Sequence, residues 1–315
     1  MKISYHLPET TLDNSALVEI RKDWTEEKIF SKTGIKSRHI AGESEGVLDL
    51  AFAACEKLFA NGVDKAKVDF ILFCTQTPEY TLPGVSGMLQ SRLGLPVSVG
   101  ALDYNLGCSG FVYGLALAKG LIKSGVAKGV LLVTSEAYSK HISAGDAATK
   151  AVFGDGAAAV FLDEKDTENI GEFVLGSDGS GAEKLVVKKG ENLFMDGPGI
   201  FNFALDVVPD AVKNVCRKNH IEIDDVDLFV FHQANRFMLD TLRKVMRIKE
   251  EKFYVDIEDV GNTVSSTIPI ALKRAQDKGL LCDGMKIMLV GFGVGLSWGA
   301  TIVKWQGVKN GRVGN

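Results

Sequence analysis

No window of the 315-residue chain holds roughly 18 uninterrupted apolar residues, so no membrane-spanning helix is expected. The opening stretch, Met1-Lys2-Ile3-Ser4-Tyr5-His6, lacks the apolar run and small-residue cleavage site of a secretory signal and reads as a first strand. Proline is scarce, at 7 residues, and no low-complexity tract or long linker occurs, which argues against disorder. The five cysteines (Cys55, Cys74, Cys108, Cys216 and Cys282) are odd in number, far apart and without a CxxC pair. Neither a disulfide framework nor a zinc site is expected from them, and a reducing cytoplasm is the default location. A dominant charge is missing too: the formal net charge of −4 gives no global signal for nucleic acid.

What is present is glycine, at 34 residues, in a chain 46% hydrophobic and 24% charged, which suits tightly turned α/β architecture with a substantial core. Apolar strand-like runs recur at 68–75, 97–104, 129–134, 156–162, 226–231, 285–291 and 297–305. Helical spacing predicts helices over 46–60, 84–93, 111–122, 203–219, 236–248 and about 267–278, the last admitting Pro269 only in its first turn. Strands alternate with helices in both halves, which predicts layered α/β packing. The repeat lies in element order rather than residue identity. The polar, acidic stretch from Asp163 to Asn169 marks the boundary, giving halves 1–165 and 166–315.

The first half is organised around Asp103-Tyr104-Asn105-Leu106-Gly107-Cys108-Ser109-Gly110-Phe111. Cys108 sits where a strand hands over to a helix, facing the free N–H groups and positive end of that helix. That setting is expected to favour thiolate, the nucleophilic form. In the second half His232 ends an apolar strand within Phe231-His232-Gln233-Ala234-Asn235, and strand ends are where α/β sheets bind ligands. Asn262 lies at a turn before a helix, and Gly291-Phe292-Gly293-Val294-Gly295 forms a loop whose N–H groups can point into a cavity. Taken singly, each has a structural reading: a buried cysteine, a core histidine, a turn asparagine, a hairpin.

Together they resemble the β-ketoacyl-acyl-carrier-protein synthase III enzymes of the thiolase superfamily, in the same order over nearly the whole chain. The matching pieces are Thr33-Gly34-Ile35 with Arg38, Cys108-Ser109-Gly110-Phe111, Phe153-Gly154-Asp155-Gly156-Ala157-Ala158, His232-Gln233-Ala234-Asn235, Gly261-Asn262-Thr263, and Gly291-Phe292-Gly293 through Trp298-Gly299. The resemblance implies a thiolase-like five-layered αβαβα duplication, a homodimer, and a role in fatty acid biosynthesis with acyl carrier protein as partner. It implies that Cys108 is acylated by a thioester, and that His232 and Asn262 donate hydrogen bonds to a malonyl thioester carbonyl. Decarboxylation leaves an enolate, and two neutral donors stabilise its oxygen. The oxyanion formed on Cys108 would meet the N–H of Cys108 and that of Val294. No metal or redox cofactor is implied. Degradative thiolases carry a second cysteine in their C-terminal glycine motif; residues 291–295 have none, and Cys282 precedes the strand. An acyltransferase that moves the Cys108-bound acyl group to a hydroxyl or amine of a specialised metabolite stays open, as does a non-catalytic partner subunit.

The departures from the family pattern concern binding. The tryptophan and arginine that grip the CoA nucleotide in acetyl-CoA-dependent members correspond to Lys28 and Lys32, and a second nucleotide-binding arginine to Ala147. A carrier-delivered acyl group or a specialised CoA ester is then expected, with Asn235 and Arg236 completing the substrate-binding set. Leu82 stands for a phenylalanine in a loop, 77–83, that reaches into the partner's acyl pocket, and its smaller side chain predicts a longer primer than acetyl. Arg236, Arg243 and Arg247 are spaced to share one helix face. Arg243 and Arg247 on that face either are solvated or dock an acidic carrier protein.

Overall fold

The computed structural model describes residues 1–307; the last part of the expected second half, 308–315, lies outside the described residues. Two five-stranded sheets dominate. In the first run β1 (Lys2–His6), β2 (Phe70–Cys74), β3 (Gly100–Tyr104), β4 (Gly129–Glu136) and β5 (Gly156–Asp163), in the order β1-β5-β4-β2-β3. In the second run β6 (Ile170–Ser177), β7 (Leu228–Phe231), β8 (Phe253–Tyr254), β9 (Lys286–Gly293) and β10 (Ser297–Lys304), in the order β6-β10-β9-β7-β8. The two orders are one order written twice, and each sheet runs antiparallel, antiparallel, parallel, parallel across its neighbours.

The alternation of apolar side chains along the strands sets the layers, because successive residues point to opposite faces. In the first sheet Leu72, Val130 and Leu132 face inward, while Ile71, Phe73, Leu131 and Val133 face outward. In the second, Val230, Ile287 and Leu289 face inward, and Phe229, Phe231, Met288 and Val290 outward. Apolar on both faces, such strands need cover on both. The inner cover is a central layer of α4 (Gly110–Lys123) and α7 (Thr267–Asp277), with Phe111, Val112, Leu115, Ile268 and Leu272 buried between the sheets. Outside the first sheet lie α2 (Val47–Ala60) and α3 (Val85–Arg92); outside the second, α5 (Gly197–Lys218) and α6 (Arg236–Val245). The five layers are those of a thiolase fold.

Several local features differ from the sequence expectation; α5, for one, starts at Gly197 rather than at residue 203. The polar stretch before Gly34 forms a helix, α1 (Glu26–Thr33), whose N-cap Thr25 accepts from the Lys28 N–H. β6 has only a half-buried pattern, too weak an alternation to read as a strand. Helix α6 ends at Val245 rather than near Ile248: Arg247 has φ 55°, a left-handed conformation that no α-helix continues through. The expected boundary stretch is a short helix, Glu164–Glu168, capped by the Asp163 carboxylate.

Candidate active site

Cys108 leaves β3 and stands one residue before the N-cap of α4. Its sulfur meets backbone from the other half: a Cβ on Gly293 would lie 2.7 Å from Cys108 Sγ, so only glycine lets the end of β9 pass. The N–H groups of Val294 and of Cys108 itself both face the sulfur. A hydroxyl pair locks this arrangement. Ser297 Oγ donates to the Val294 carbonyl at 2.7 Å, so its oxygen accepts from Ser109 Oγ, also at 2.7 Å. The sequence reading missed both serines; Ser109 lies inside the cysteine motif and gave no other signal.

Burial pushes the Cys108 thiol up to about 12, beyond what the N–H of Val294 lowers it, and the charge of Glu136 pushes the same way. This corrects the expected bias toward thiolate. A helix N-terminus is worth little against desolvation when no cation stands near. The one candidate cation is neutral: burial pushes His232 down to about 3.

His232 follows β7 and is 2% exposed. Its Nδ1 lies 2.8 Å from Thr267 Oγ1, and that hydroxyl is 3.0 Å from the Val264 carbonyl, which can only accept. With the Thr267 proton on Val264, Nδ1 carries the imidazole proton and Nε2 presents its lone pair. The Asn262 amide nitrogen approaches that Nε2 at 3.5 Å and the Ala234 carbonyl at 3.4 Å. In the resting chain Asn262 is therefore a donor and His232 Nε2 an acceptor, whereas the sequence reading expects donors from both. The Asn262 amide is aimed from both ends. Its Oδ1 accepts from the Val264 N–H at 2.9 Å, and its backbone pairs with the strand-like Val152–Gly154 segment of the first half. A Cβ on Gly154 would sit 2.5 Å from the Val260 carbonyl, which explains the glycine before Asp155. Asp155 itself is buried and accepts from the N–H groups of Ala41 and Ser139, fixing the turn rather than facing the cavity.

Cys108, His232, Asn262 and Asn235 line one cavity of ≈ 80 Å³, with Phe153, Leu185, Ile200, Met238 and Phe292 as its apolar wall. Asn235 also caps α6, its Oδ1 accepting from the Met238 N–H at 2.9 Å. The other expected residues stand apart from it. Lys28 and Lys32 are exposed on α1, and Leu82 is 83% exposed on its loop. Arg236 pairs with Asp240 at 3.1 Å and packs on Gly34. Arg243 and Arg247 do not share a face: Arg243 is largely covered, pairs with Glu250 at 3.5 Å and donates to the Ile248 carbonyl, while Arg247 lies past the helix end. Cys282 is exposed and outside the cavity wall, and Gln233 is a brace, its amide bonded to the Phe231 carbonyl and the Asp256 N–H. Among the described residues, no three His, Cys, Asp or Glu side chains gather to hold a metal ion, and no helix is long and apolar enough to cross a membrane.

A doubled sheet closing on a buried cysteine, with a histidine and an asparagine from the other half beside it, makes this a thiolase-fold protein. Residues 102–179 match the family model described as 3-oxoacyl-[acyl-carrier-protein (ACP)] synthase III, and residues 216–305 that of its C-terminal part. The β-ketoacyl-[acyl-carrier-protein] synthase III of Staphylococcus saprophyticus is 36% identical over 306 residues, covering 95% of this chain and 96% of its own. A crystal structure of a 3-oxoacyl-(acyl-carrier-protein) synthase III is 45% identical with a TM-score of 0.93, over 96% of this chain and 98% of that one. The synthase III from Thermus thermophilus is 36% identical with a TM-score of 0.90, over 97% and 98%. The chain belongs to the 3-oxoacyl-[acyl-carrier-protein] synthase III family.

Proposed function

We propose that the chain condenses a Cys108-bound acyl group with a malonyl thioester, releasing CO2 and a 3-oxoacyl thioester. The observation that carries this reading is the meeting of the Cys108 sulfur, two backbone N–H groups, His232 and Asn262 in one cavity that holds no second cysteine. In the first half-reaction the sulfur bonds to the acyl carbon, the donor's C–S bond breaks, and the thiol proton ends on the departing thiol. His232 Nε2, neutral and with its lone pair toward the cavity, serves as the relay. In the second, the malonyl C–C bond breaks, CO2 leaves, and the electron pair becomes an enolate whose oxygen is held by the Asn262 amide. The Thr267 hydroxyl can also donate to Nδ1, which places the imidazole proton on Nε2 as the second donor. The enolate carbon attacks the acyl carbonyl, whose oxyanion meets the N–H groups of Cys108 and Val294. The C–S bond to Cys108 then breaks, and the sulfur takes one proton from solvent. Electrons and atoms balance without a metal or redox cofactor.

The malonyl donor in this reading is malonyl-acyl carrier protein, and the setting is fatty acid biosynthesis. The cavity of ≈ 80 Å³ is small, which suits a short primer. Longer primers would need the 77–83 loop of a second copy to shape the pocket, and the exposure of Leu82 together with the open edge of β3 supports a homodimer. Lys28, Lys32 and Arg236, which do not line the cavity, are then left for the donor's phosphates outside it. The test is intact-protein mass of wild type and Cys108→Ala after mixing with acyl-CoA and acyl-carrier thioesters, followed by labelled CO2 release from malonyl-acyl carrier protein. A mass gain in wild type only, then CO2 release, is expected. Acyl transfer to a hydroxyl or amine without CO2 would replace the condensation by its acyltransferase alternative.

A further inference from the structure

Glu136 ends β4 wholly buried, and neither the relay nor the donor pair uses it. Its hydrogen-bond partners are uncharged. The Gln76 N–H and the Thr77 hydroxyl donate to Oε2 at 3.0 and 3.2 Å, and the Ser265 hydroxyl to Oε1 at 2.7 Å. Two of these donors begin the loop that carries Leu82. The third lies in the other half, in the turn between Asn262 and α7. That turn is strained: Val264 has φ 55°, and a β-branched side chain resists the left-handed region. Such strain persists only where the surroundings over-determine the conformation. The strained residue is also the one that aims the site. Its N–H holds Asn262 Oδ1, and its carbonyl holds the Thr267 hydroxyl that contacts His232.

We propose that Glu136 is a positioning residue: through Ser265 it clamps the strained turn, and with it the Asn262 amide and the His232 imidazole, to the half that carries Cys108. The proposal rests on the reading that Asn262 and His232 serve malonyl decarboxylation. The carboxyl group also bears on the nucleophile. Burial raises Glu136 to about 8, and its charge opposes ionisation of Cys108. The other titratable groups around the pair are Asp155, Cys74, Tyr104, Tyr138 and the neutral His232, and none of them is a cation.

Ser265→Ala removes one strand of the clamp, and Glu136→Leu removes all three. Each should lower CO2 release from malonyl-acyl carrier protein roughly 10- to 100-fold, the scale of a small misplacement of reacting groups. Cys108 acylation should reach the same end point as in wild type, more slowly to the extent that the His232 relay is displaced with the turn. Glu136→Gln should recover most of the rate, because its amide can donate to Ser265 Oγ, and should shift iodoacetamide alkylation of Cys108 to lower pH. A folded Ser265→Ala with undiminished CO2 release would overturn the clamp, and it decides the matter even if Glu136→Leu does not fold. An alkylation profile unmoved in Glu136→Gln would overturn the electrostatic part. A wild type that releases no CO2 would overturn the functional reading instead, and the alkylation profiles would then decide Glu136 alone.

Discussion

His232 is held neutral by the burial that makes it useful, and this has a cost in acid. Its folded-state pKa of about 3 lies below the ordinary 6.5, so below pH 6.5 the unfolded chain binds a proton that the folded chain does not. Stability is therefore fully present above pH 6.5 and falls as pH drops toward 3, with a slope of about 1.4 kcal/mol per pH unit from this group. Urea midpoints at pH 7 and pH 5 should diverge less for His232→Gln than for wild type; equal divergence would mean the ring is protonated in the fold. Cys108, His232 and Asn262 were legible as residues, because a cysteine at a strand-to-helix turn and two side chains at strand ends or turns carry chemical meaning in the sequence. Their protonation states were not. The Cys108 thiol is governed by how deeply it is buried, and the His232 tautomer by a hydroxyl, Thr267, that lies 35 residues away along the chain. Glu136 was invisible for the same reason: nothing in Val133-Thr134-Ser135-Glu136 says that the strand end is dry.

At the level of elements, the left-handed Val264 reverses an ordinary rule. Alanine usually outdoes glycine by restricting the unfolded chain, but not where φ is positive. Val264→Gly should be more stable than Val264→Ala by about 1 kcal/mol, read from denaturant midpoints; the opposite order would mean the turn relaxes freely. Helix α6 gives a second contrast. Arg243 is tied to Glu250 and the Ile248 carbonyl, while Arg247 is exposed. Arg243→Glu should cost stability, about 1–3 kcal/mol, because it puts a carboxylate in the largely covered place of the guanidinium and leaves the Ile248 carbonyl without its donor. Arg247→Glu should leave stability alone and raise KM for a carrier-bound substrate if carrier protein docks there. An unchanged KM would remove Arg247 from the docking surface. Strong apolar runs such as β4 and β9 announced themselves, since a strand covered on both faces is apolar throughout. β6 and α1 did not: one is half-buried without clean alternation, and the other owes its start to a threonine cap amid charges. The end of α6 was misplaced because its apolar periodicity continues past Val245 in Met246 and Ile248, while the backbone turns away at Arg247.

Across the molecule, β3 is the outer strand of the first sheet among the described residues, with one row of its backbone groups unpaired there and Leu102 48% exposed. An unprotected edge invites pairing with another chain. If two copies join there, Leu102→Lys should shift light-scattering mass toward the monomer and reduce CO2 release with it; a dimer that survives the change would place the contact elsewhere. The alternation of elements made the duplication readable, but not that the nucleophile and the asparagine beside it would sit in corresponding loops of different copies. Cys108 precedes α4, between the third and fourth strands of its sheet, and Asn262 precedes α7, between the third and fourth strands of the other. Those two helices form the shared middle layer, so each half alone would leave a full apolar face bare. A cut within residues 164–168 should therefore yield two pieces that are insoluble apart and recover the chemistry only when expressed together. Such a chain is a ready-made complementation reporter, in which acylation of a single cysteine records that two polypeptides have met.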